Sequence, residues 1–562
     1  MIQHKYLVVG GVAGGMSAAA RLRRLDESAS IVVLERGQYV SFANCGLPYY
    51  VSGEIAQENS LLLQTPASLK AALNLDVRIN HDVVGLDANT QTVRVSTPDG
   101  EVTLNYDALI LSPGARPARP PIPGLDHPCV RTLRTVDDAK ALRLLTEDGA
   151  SKAVVLGAGF IGVEGAEALA TRGLEVSVVE FAPHVLPPLE KEMAFLVSQE
   201  MRKLGMDVRE SVAATQIVDD QGRARVELSD GSSITADVVV LAVGGTPDTE
   251  VFAEAGLECE RGFIVTDDHG RTNLKDVYAV GDAVLSTDAI TEKRRPVQLA
   301  GPANRAGRLV ADALRGRFEA RGMPNPLGTA IVRVGSLTAA MTGANRASLD
   351  EADRSYTTIH VHPANHAGYF PGSVQMHLMV HIDLDTGRIL GAQGVGEDGI
   401  DKRIDILATA IRAGIETCSL MDLDLCYSPP YGSAKDPVNM IGFIADNLHT
   451  GHIQLWQPEQ LDWARSETLV LDVRTAGEFA SGHLPEAVNI PHTELRSRLD
   501  EVRQLAGDRD IAVMCQSGVR SYIAHRILTA AGLAAPTLSG GMLTLKAWLG
   551  AEADEVLVKE ER

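Results

Sequence analysis

Two of the six cysteines stand among residues that suit thiol chemistry. Cys45 lies in SFANCGLPYYVSG, where Asn44-Cys45-Gly46 is predicted to open a helix. The positive end of a helix dipole lowers a thiol pKa and favours the reactive thiolate, although an isolated cysteine is more often a small buried hydrophobe. The chain has no Cys-x-x-Cys pair, and the next cysteine is Cys129. A redox-active Cys45 must therefore pair with a substrate thiol or with oxygen.

The second thiol, Cys515, begins the segment CQSGVR between a predicted strand, IAVM, and a predicted helix, VRSYIAHRIL. Backbone N–H groups that curl around a thiolate at a helix N-terminus stabilise its negative charge. The segment continues with Gln516, Ser517, Gly518, Val519 and Arg520. The remaining cysteines, 129, 259, 418 and 426, have no motif around them and are interpreted as structural.

Two glycine-rich turns, each between a predicted strand and a predicted helix, indicate two nucleotide sites. In such a unit the helix N-terminus receives the pyrophosphate, and an acidic residue ending the second strand accepts the ribose hydroxyls. The first turn has Gly10, Ala13, Gly14 and Gly15, with Glu35 as the acidic residue, and Val12 replaces the middle glycine of the fingerprint. The second turn has Gly157, Gly159, Phe160, Ile161 and Gly162, with Glu180 as the acidic residue. One such fingerprint is weak, but two in register are much stronger.

Glu180 also bears on cofactor choice. A carboxylate at this position repels the 2′-phosphate of NADPH, and no Arg or Lys follows in FAPHVLPPLE to bind one. The sequence therefore favours NADH over NADPH.

The elements that must position these residues are those of a soluble, multidomain α/β protein. The 562 residues, 45% hydrophobic and 22% charged, suggest about three to five domains. A net charge of −21 disfavours binding to nucleic acid or to an anionic membrane. No apolar run approaches the roughly 18 residues of a membrane span, so a cytoplasmic location is expected. Residues 5–36 and 152–180 are predicted βαβ units, 331–450 an α+β unit, and 461–562 a small α/β domain.

Residues 1–450, including TNLKDVYAVGDAV, resemble the pyridine nucleotide–disulfide oxidoreductase family of FAD enzymes. The resemblance implies two Rossmann-like domains: an FAD-binding domain at 1–115 and 255–330, interrupted by an NAD-binding domain at 116–254. An α+β dimerisation domain at 331–450 would follow, so a homodimer is expected. The FAD residues implied, besides those of the first turn, are Glu35, Arg36, Asn44, Val83, Ser112, Gly114, Gly281 and Asp282, the last bonding the flavin ribitol. Gly245 would join the NAD site.

Within that family, two segments resemble the coenzyme A–disulfide reductases: SFANCGLPYY and YSPPYGSAKDPVN. The related peroxidases carry a histidine where this chain has Ala13. The resemblance implies that Tyr369 and Tyr427 flank the partner subunit's Cys45, although both tyrosines could simply pack at an interface. Coenzyme A would be bound as a substrate or as a retained cofactor. The residues implied at its site are Ser17, Arg21, Arg24, Ser41, Asn44 and Lys435, with Arg23 on a solvated helix face.

LVLDVRTAGEFASGHLPEAVNIP, residues 469–491, resembles the rhodanese family, with Glu486 where a glycine is common. The resemblance implies a rhodanese domain at 461–562, with Cys515 as its sulfur carrier. The loop from Cys515 to Arg520 spans six residues, a length typical of sulfur transfer, whereas phosphatases of this fold use a longer loop.

Taken together, these features predict an FAD- and NADH-dependent reductase of coenzyme A persulfide and polysulfide. Coenzyme A disulfide is a further candidate substrate, and the fused rhodanese domain would handle sulfane sulfur. Two alternatives stay open: an NADH oxidase or peroxidase with a Cys45 sulfenate, and a rhodanese domain that acts only as a sulfur carrier or docking module. No metal site is predicted, since histidines such as His360, His362 and His366 show no convincing ligand set.

Overall fold

The first glycine turn joins the strand Lys5–Val9 to the helix Ala13–Leu25 in a computed structural model that describes residues 4–316 and 321–560. This strand is central in a parallel five-stranded sheet. The strand order is Val277–Ala279, Ala108–Leu111, Lys5–Val9, Ser30–Leu34 and Asp76–Arg78. Helices cover both faces of such a sheet, and the apolar run ALIL is accordingly buried at all four residues.

The second glycine turn repeats this arrangement. It joins the strand Lys152–Leu156 to the helix Phe160–Thr171 in another parallel sheet. Its order is Asp207–Arg209, Glu175–Val179, Lys152–Leu156, Val238–Leu241 and Val130–Arg131. In both sheets the first two strands pair in register, so the glycine turn meets the end of the second strand. Gly10 N–H donates to the Leu34 carbonyl and Gly157 N–H to the Val179 carbonyl, each at 2.8 Å.

Smaller elements complete the first of two compact units, residues 1–182 and 205–328. Two antiparallel three-stranded sheets comprise Asp82–Asp87, Thr92–Thr97 and Gly100–Asn105, and Ala214–Asp220, Arg223–Leu228 and Ser233–Ala236. Three strand pairs are Ala115–Pro117 with Gly245–Pro247, Cys259–Glu260 with Phe263–Ile264, and Leu285–Thr287 with Arg294–Pro296. The other helices are Leu47–Ser52, Pro66–Leu73, Val136–Glu147, Glu250–Glu254 and Ala300–Leu314, with 3₁₀ turns at Asn44–Gly46 and Glu58–Ser60.

The second unit, residues 183–204 and 329–562, contains an antiparallel five-stranded sheet. Its order is Ala330–Val334, Leu337–Gly343, Ile389–Gly396, Met376–Asp383 and Tyr356–Val361. The helices of this part are Lys191–Lys203, Arg346–Glu351, Ile400–Ala413 and Pro437–His449, with a 3₁₀ segment at Thr417–Asp422. Helix Lys191–Lys203 thus lies between two strands of the second parallel sheet in sequence, yet it belongs to the second unit.

The second unit also contains the rhodanese-like domain, a parallel sheet with helices around it. Its strand order is Leu455–Trp456, Thr537–Leu538, Ile511–Met514, Leu469–Asp472 and Val488–Asn489. The helices are Leu461–Glu467, Ala476–Ala480, Leu499–Ala506, Val519–Ala530, Gly541–Leu549 and Ala553–Val556, with 3₁₀ turns at Pro458–Gln460, Leu495–Ser497 and Gly550–Glu552. The predicted fold class, Rossmann-like sheets followed by an α+β domain and a rhodanese-like domain, is confirmed.

Candidate functional site

The first glycine turn is packed so closely that larger side chains do not fit. A Cβ atom on Gly10 would lie 2.0 Å from the Ser112 carbonyl oxygen, and one on Gly15 would lie 2.0 Å from the Gly10 carbonyl oxygen. A Cβ on Gly14 would lie 2.8 Å from the Ser112 hydroxyl oxygen. The tight packing brings the start of helix Ala13–Leu25 against the strand ends, where backbone N–H groups can meet a phosphate.

The second glycine turn combines close packing with open space. A Cβ on Gly157 would lie 2.5 Å from the Ala242 carbonyl oxygen, and one on Gly162 would lie 2.0 Å from the Gly157 carbonyl oxygen. A Cβ on Gly159 would meet nothing within 4 Å among the atoms that the structure describes. Gly159 directly precedes helix Phe160–Thr171, in which Ile161 is exposed. This is the space that a pyrophosphate needs, so both turns fit a bound dinucleotide.

The two strand-end glutamates make the same pair of bonds in each unit. Glu35 accepts hydrogen bonds from the N–H groups of Gly11 and Gly37, both at 2.8 Å. Glu180 accepts from Ala158 N–H at 2.6 Å and Ala182 N–H at 2.7 Å. Each carboxylate therefore braces its glycine turn and has lone pairs left for ribose hydroxyls. The sequence analysis identified both glutamates but missed this structural role.

The other expected FAD residues lie in several elements of the first unit. Arg36 forms ion pairs with Asp248 and, at 3.3 Å, with Asp82. Asp282 lies 3.5 Å from Arg134 Nη2, and burial raises the pKa of its carboxyl group. Val83 is buried, Ser112 N–H donates to the Val9 carbonyl, and Gly114 and Gly281 have positive φ. Gly245, which was expected at the NAD site, pairs with Pro117.

Cys45 is exposed and lies in the 3₁₀ turn Asn44–Gly46, which leads into the helix Leu47–Ser52. The protein's own groups raise the pKa of its thiol. Partial burial is the largest cause, followed by the charges of Glu164 and Asp282, while Arg134 acts in the opposite direction. The sequence analysis expected a helix dipole to lower this pKa, whereas its net direction is upward, with burial as the largest cause.

Two residues near Cys45 were missed from the sequence. Arg134 holds the adjacent Asn44: its Nη1 donates to the Asn44 amide oxygen at 3.0 Å, and its carbonyl accepts from the amide nitrogen at 3.1 Å. Glu164, on helix Phe160–Thr171, accepts from the Tyr49 hydroxyl at 3.3 Å. Neither residue belongs to a motif, so no sequence signal pointed to them.

The expected coenzyme A residues have varied surroundings. Arg21 forms an ion pair with Asp312 at 2.6 Å, and Ser17 donates to Asn304 at 2.6 Å. Arg24 is exposed, and Ser41 has a positive φ of 48° with its N–H bonded to the Gly11 carbonyl. Lys435 lies over the Phe443 ring, 5.9 Å from its centre.

The expectation that Arg23 lies on a solvated helix face is wrong. Arg23 is 3% exposed and donates to the carbonyls of Leu73, Asn74 and Glu27. It satisfies backbone groups at the ends of two helices, which is a structural role.

In the second unit, Tyr369 and Tyr427, the two tyrosines expected beside the partner subunit's Cys45, lie next to each other. Their hydroxyl oxygens are 3.3 Å apart, and both side chains are exposed. The segment between Tyr427 and the helix Pro437–His449 is anchored at Asp436. This residue caps the helix and accepts from the buried Arg403 at 2.8 Å.

The sulfur loop, Cys515–Arg520, surrounds a buried thiol. Gly518 N–H donates to Cys515 Sγ at 3.2 Å, and the Ser521 hydroxyl lies 3.4 Å from the same sulfur. Gly518 has a φ of +98°, which a residue with a side chain rarely adopts, and it turns the loop into helix Val519–Ala530. Ser521, which is fully buried, was missed because it stands one residue beyond the expected loop.

Arg520, the last residue of the loop, forms two parallel bonds, each of 2.7 Å, with Glu478. These bonds lower the pKa of Glu478 to about 2. The pair ties the sulfur loop to the helix Ala476–Ala480, so the arginine expected in the loop acts as a brace.

Comparisons with known proteins agree with this geometry. Residues 4–307 match the family model described as pyridine nucleotide-disulphide oxidoreductase, residues 329–437 its dimerisation domain, and residues 457–548 the rhodanese-like domain. A coenzyme A disulfide reductase of Staphylococcus haemolyticus is 32% identical over 79% of this chain and 100% of its own length. No helix among the described residues is long and apolar enough to cross a membrane.

Two solved structures cover nearly the whole chain. Reduced CoADR-RHD of Bacillus anthracis is 39% identical, with a TM-score of 0.95 over 99% of this chain and 100% of that one. A NAD-dependent persulfide reductase from A. fulgidus is 38% identical, with a TM-score of 0.90 over 96% of this chain and 99% of that one.

Proposed function

Because this chain belongs to the pyridine nucleotide-disulphide oxidoreductase family, an oxidoreductase family that uses FAD and NAD(P)H, we propose that it reduces sulfane sulfur with NADH. Its substrates would be coenzyme A persulfide and polysulfide, with coenzyme A disulfide as a further candidate. One observation carries the proposal: an exposed lone thiol, Cys45, and a buried thiol with a backbone N–H on its sulfur, Cys515, share one chain. The names of the relatives, a coenzyme A disulfide reductase and a persulfide reductase, support the same chemistry.

The reaction at Cys45 is a thiol–disulfide exchange. Its thiolate attacks coenzyme A persulfide at the sulfur bonded to coenzyme A, hydrosulfide leaves, and a Cys45–coenzyme A mixed disulfide forms. Bound FAD and NADH would supply two electrons, which return Cys45 to the thiolate and release coenzyme A as its thiol. The overall change consumes one persulfide and one NADH and yields one hydrosulfide, one coenzyme A thiol and NAD⁺.

The surrounding residues would position the thiol and hold the cofactors. Arg134 opposes the burial and the two carboxylates that raise the pKa of Cys45, and its bonds to Asn44 fix the residue next to the thiol. Glu35 and Glu180 would bind the riboses of FAD and NADH. A carboxylate at position 180 disfavours the extra phosphate of NADPH.

The matched dimerisation domain suggests a homodimer. In that dimer Tyr369 and Tyr427 would lie beside the partner subunit's Cys45, with the Tyr427 hydroxyl as proton donor or hydrogen-bond partner. Arg24, Lys435 and the other candidate residues would hold coenzyme A. Cys515 would carry sulfane sulfur, which its loop stabilises as a persulfide anion.

The test is anaerobic NADH oxidation with coenzyme A persulfide, in which released sulfide is measured together with NADH. Wild-type protein should form sulfide in step with NADH loss, and Cys45→Ser should form none. An aerobic sample without a sulfur substrate serves as the blank. NADH loss in that blank, with no sulfide formed anaerobically, would instead identify an oxidase that uses a Cys45 sulfenate.

A further inference from the structure

The edge of the antiparallel sheet in the second unit is covered by the rhodanese-like domain. Tyr356–Val361 is an edge strand. Its Thr358 carbonyl accepts from Gln457 Nε2 at 2.9 Å and from the Ser539 hydroxyl at 3.2 Å. His360 N–H donates to Ser539 Oγ at 3.0 Å. Since an edge strand otherwise leaves backbone groups unpaired, these bonds fix the rhodanese-like domain against the sheet.

His362, just beyond this strand, extends the contact toward the sulfur loop. Its Nε2 lies 2.7 Å from the Thr544 hydroxyl oxygen, and its Nδ1 lies 2.9 Å from His377 Nδ1. Burial lowers the pKa of His362 well below its ordinary value and that of His377 to about 4. Both rings are therefore neutral near pH 7, and one N–H can be shared between the two Nδ1 atoms.

A glycine pair separates His362 from the sulfur loop. A Cβ on Gly540 would lie 2.8 Å from His362 Nε2, and one on Gly541 would lie 2.5 Å from the Cys515 carbonyl oxygen. Both glycines have positive φ, 69° and 66°. The histidine and the loop backbone thus both pack closely against the same short segment.

The helix that starts at this glycine pair, Gly541–Leu549, holds the loop directly. Met542 N–H donates to the Cys515 carbonyl at 2.8 Å, and Leu543 N–H donates to the Gln516 carbonyl at 3.1 Å. A planar trans peptide directs its N–H opposite to its C=O. Because these two carbonyls face the helix, the N–H groups of Gln516 and Ser517 are directed away from it, as donors for an anion in the loop.

We infer that His362 is a positioning residue for Cys515. Through Thr544 it holds the start of helix Gly541–Leu549, and that helix fixes the carbonyls that orient the N–H groups of the sulfur loop. Sulfur chemistry at Cys515 then depends on the dimerisation domain, and the rhodanese-like domain is not an independent module. The inference rests on the proposed sulfur transfer at Cys515.

The experiment uses three full-length variants. His362→Leu fills the same space without ring nitrogens, His362→Gln keeps a polar group for Thr544, and His449→Leu removes an exposed histidine at the end of helix Pro437–His449. Sulfur transfer from thiosulfate to cyanide reports on Cys515. Alkylation of Cys515 across a pH series, followed by peptide mass spectrometry, reports on its thiolate.

In His362→Leu we expect sulfur-transfer kcat to fall about fivefold, the typical effect of one hydrogen bond, and Cys515 alkylation to shift to higher pH. His362→Gln should recover part of both, and His449→Leu should match wild type. Thr544→Val, which removes the partner hydroxyl, should reproduce the loss. NADH oxidation with coenzyme A disulfide should stay unchanged and so shows that the variants are folded.

Wild-type sulfur transfer and an unshifted Cys515 profile in both His362→Leu and Thr544→Val would overturn the inference. If wild-type protein transfers no sulfur at all, the proposed role of Cys515 fails instead. In that case the alkylation profiles alone decide whether His362 positions the loop.

Discussion

Replacing Glu180 by Gln should weaken NADH binding without affecting FAD. The carboxylate is 8% exposed and accepts two backbone N–H bonds, from Ala158 and Ala182. In the amide that replaces the carboxylate, the oxygen can still accept one of these two N–H bonds. The NH₂ group then faces the other N–H group, and two donors cannot form a hydrogen bond with each other. The amide would also lose the charged acceptor that Glu180 offers to a ribose hydroxyl of NADH, and a hydrogen bond to a charged group is worth about 1.5–3 kcal/mol. Each 1.4 kcal/mol or so is tenfold in affinity. We therefore expect KM for NADH to rise about ten- to a hundredfold.

The matched control is Glu35→Gln, because Glu35 makes the equivalent bonds to Gly11 and Gly37 in the first unit. This variant should lose flavin, measured by visible absorbance of the purified protein. Its remaining flavin-loaded fraction should keep the wild-type KM for NADH. Glu180→Gln should show the reverse: full flavin content and a raised KM in steady-state assays with coenzyme A disulfide.

Two results would refute this reasoning. If Glu180→Gln loses flavin and keeps its KM for NADH, the two nucleotides have been assigned to the wrong turns. If neither variant changes flavin content or KM, the glutamates do not support the nucleotide sites at all.

Three further changes test other parts of the structure. Arg134→Gln should slow alkylation of Cys45 several-fold near pH 8, because Arg134 lowers the pKa of that thiol; an unchanged pH profile would contradict this. Arg520→Lys keeps the charge but cannot form both bonds to Glu478. Sulfur transfer should fall, and the free energy of unfolding measured in urea should fall by about 1 kcal/mol. Wild-type values of both would mean that the Arg520–Glu478 pair is dispensable. Stability should also fall as the pH drops from about 6.5 to 4. The unfolded chain then protonates His377, whose pKa is about 4 in the folded protein, at a cost of up to about 3 kcal/mol. His377→Phe should flatten that slope, and a slope identical to wild type would show that other groups cause it.

Local sequence sufficed for the elements that carry the glycine turns and the sulfur loop. KAVVLGAG predicted a strand and a turn, and the structure has the strand Lys152–Leu156 followed by Gly157 at φ +95°. IAVM likewise became the strand Ile511–Met514, with the helix Val519–Ala530 after the loop. A short apolar run followed by glycine favours a buried strand that ends in a turn, and this local preference explains why these predictions are confirmed.

Features that depend on distant residues were not predictable in this way. The raised pKa of Cys45 reflects its partial burial first, and then the charges of Glu164 and Asp282, which are more than a hundred residues away in sequence. Arg23 looked like a surface residue because its partners, the carbonyls at the end of helix Pro66–Leu73, carry no side-chain signature. A backbone carbonyl is present at every residue, so no motif marks the one that an arginine will bind.

The buried polar contacts of the second unit constrain how sulfur could move between the two thiols. Arg346 contacts Glu190, Glu192 and Glu459, the last from the rhodanese-like domain, and its side chain is mostly buried. Releasing that domain would break the Arg346–Glu459 ion pair and the hydrogen bonds that Gln457 and Ser539 make to the edge strand, at about 0.5–1.5 kcal/mol for each hydrogen bond. A swinging domain is therefore a costly carrier. A mobile substrate such as the pantetheine arm of coenzyme A avoids this cost and benefits from a high local concentration. Cys515→Ser should then slow polysulfide turnover but leave the reduction of added coenzyme A persulfide intact. Polysulfide turnover at the wild-type rate in this variant would exclude the relay.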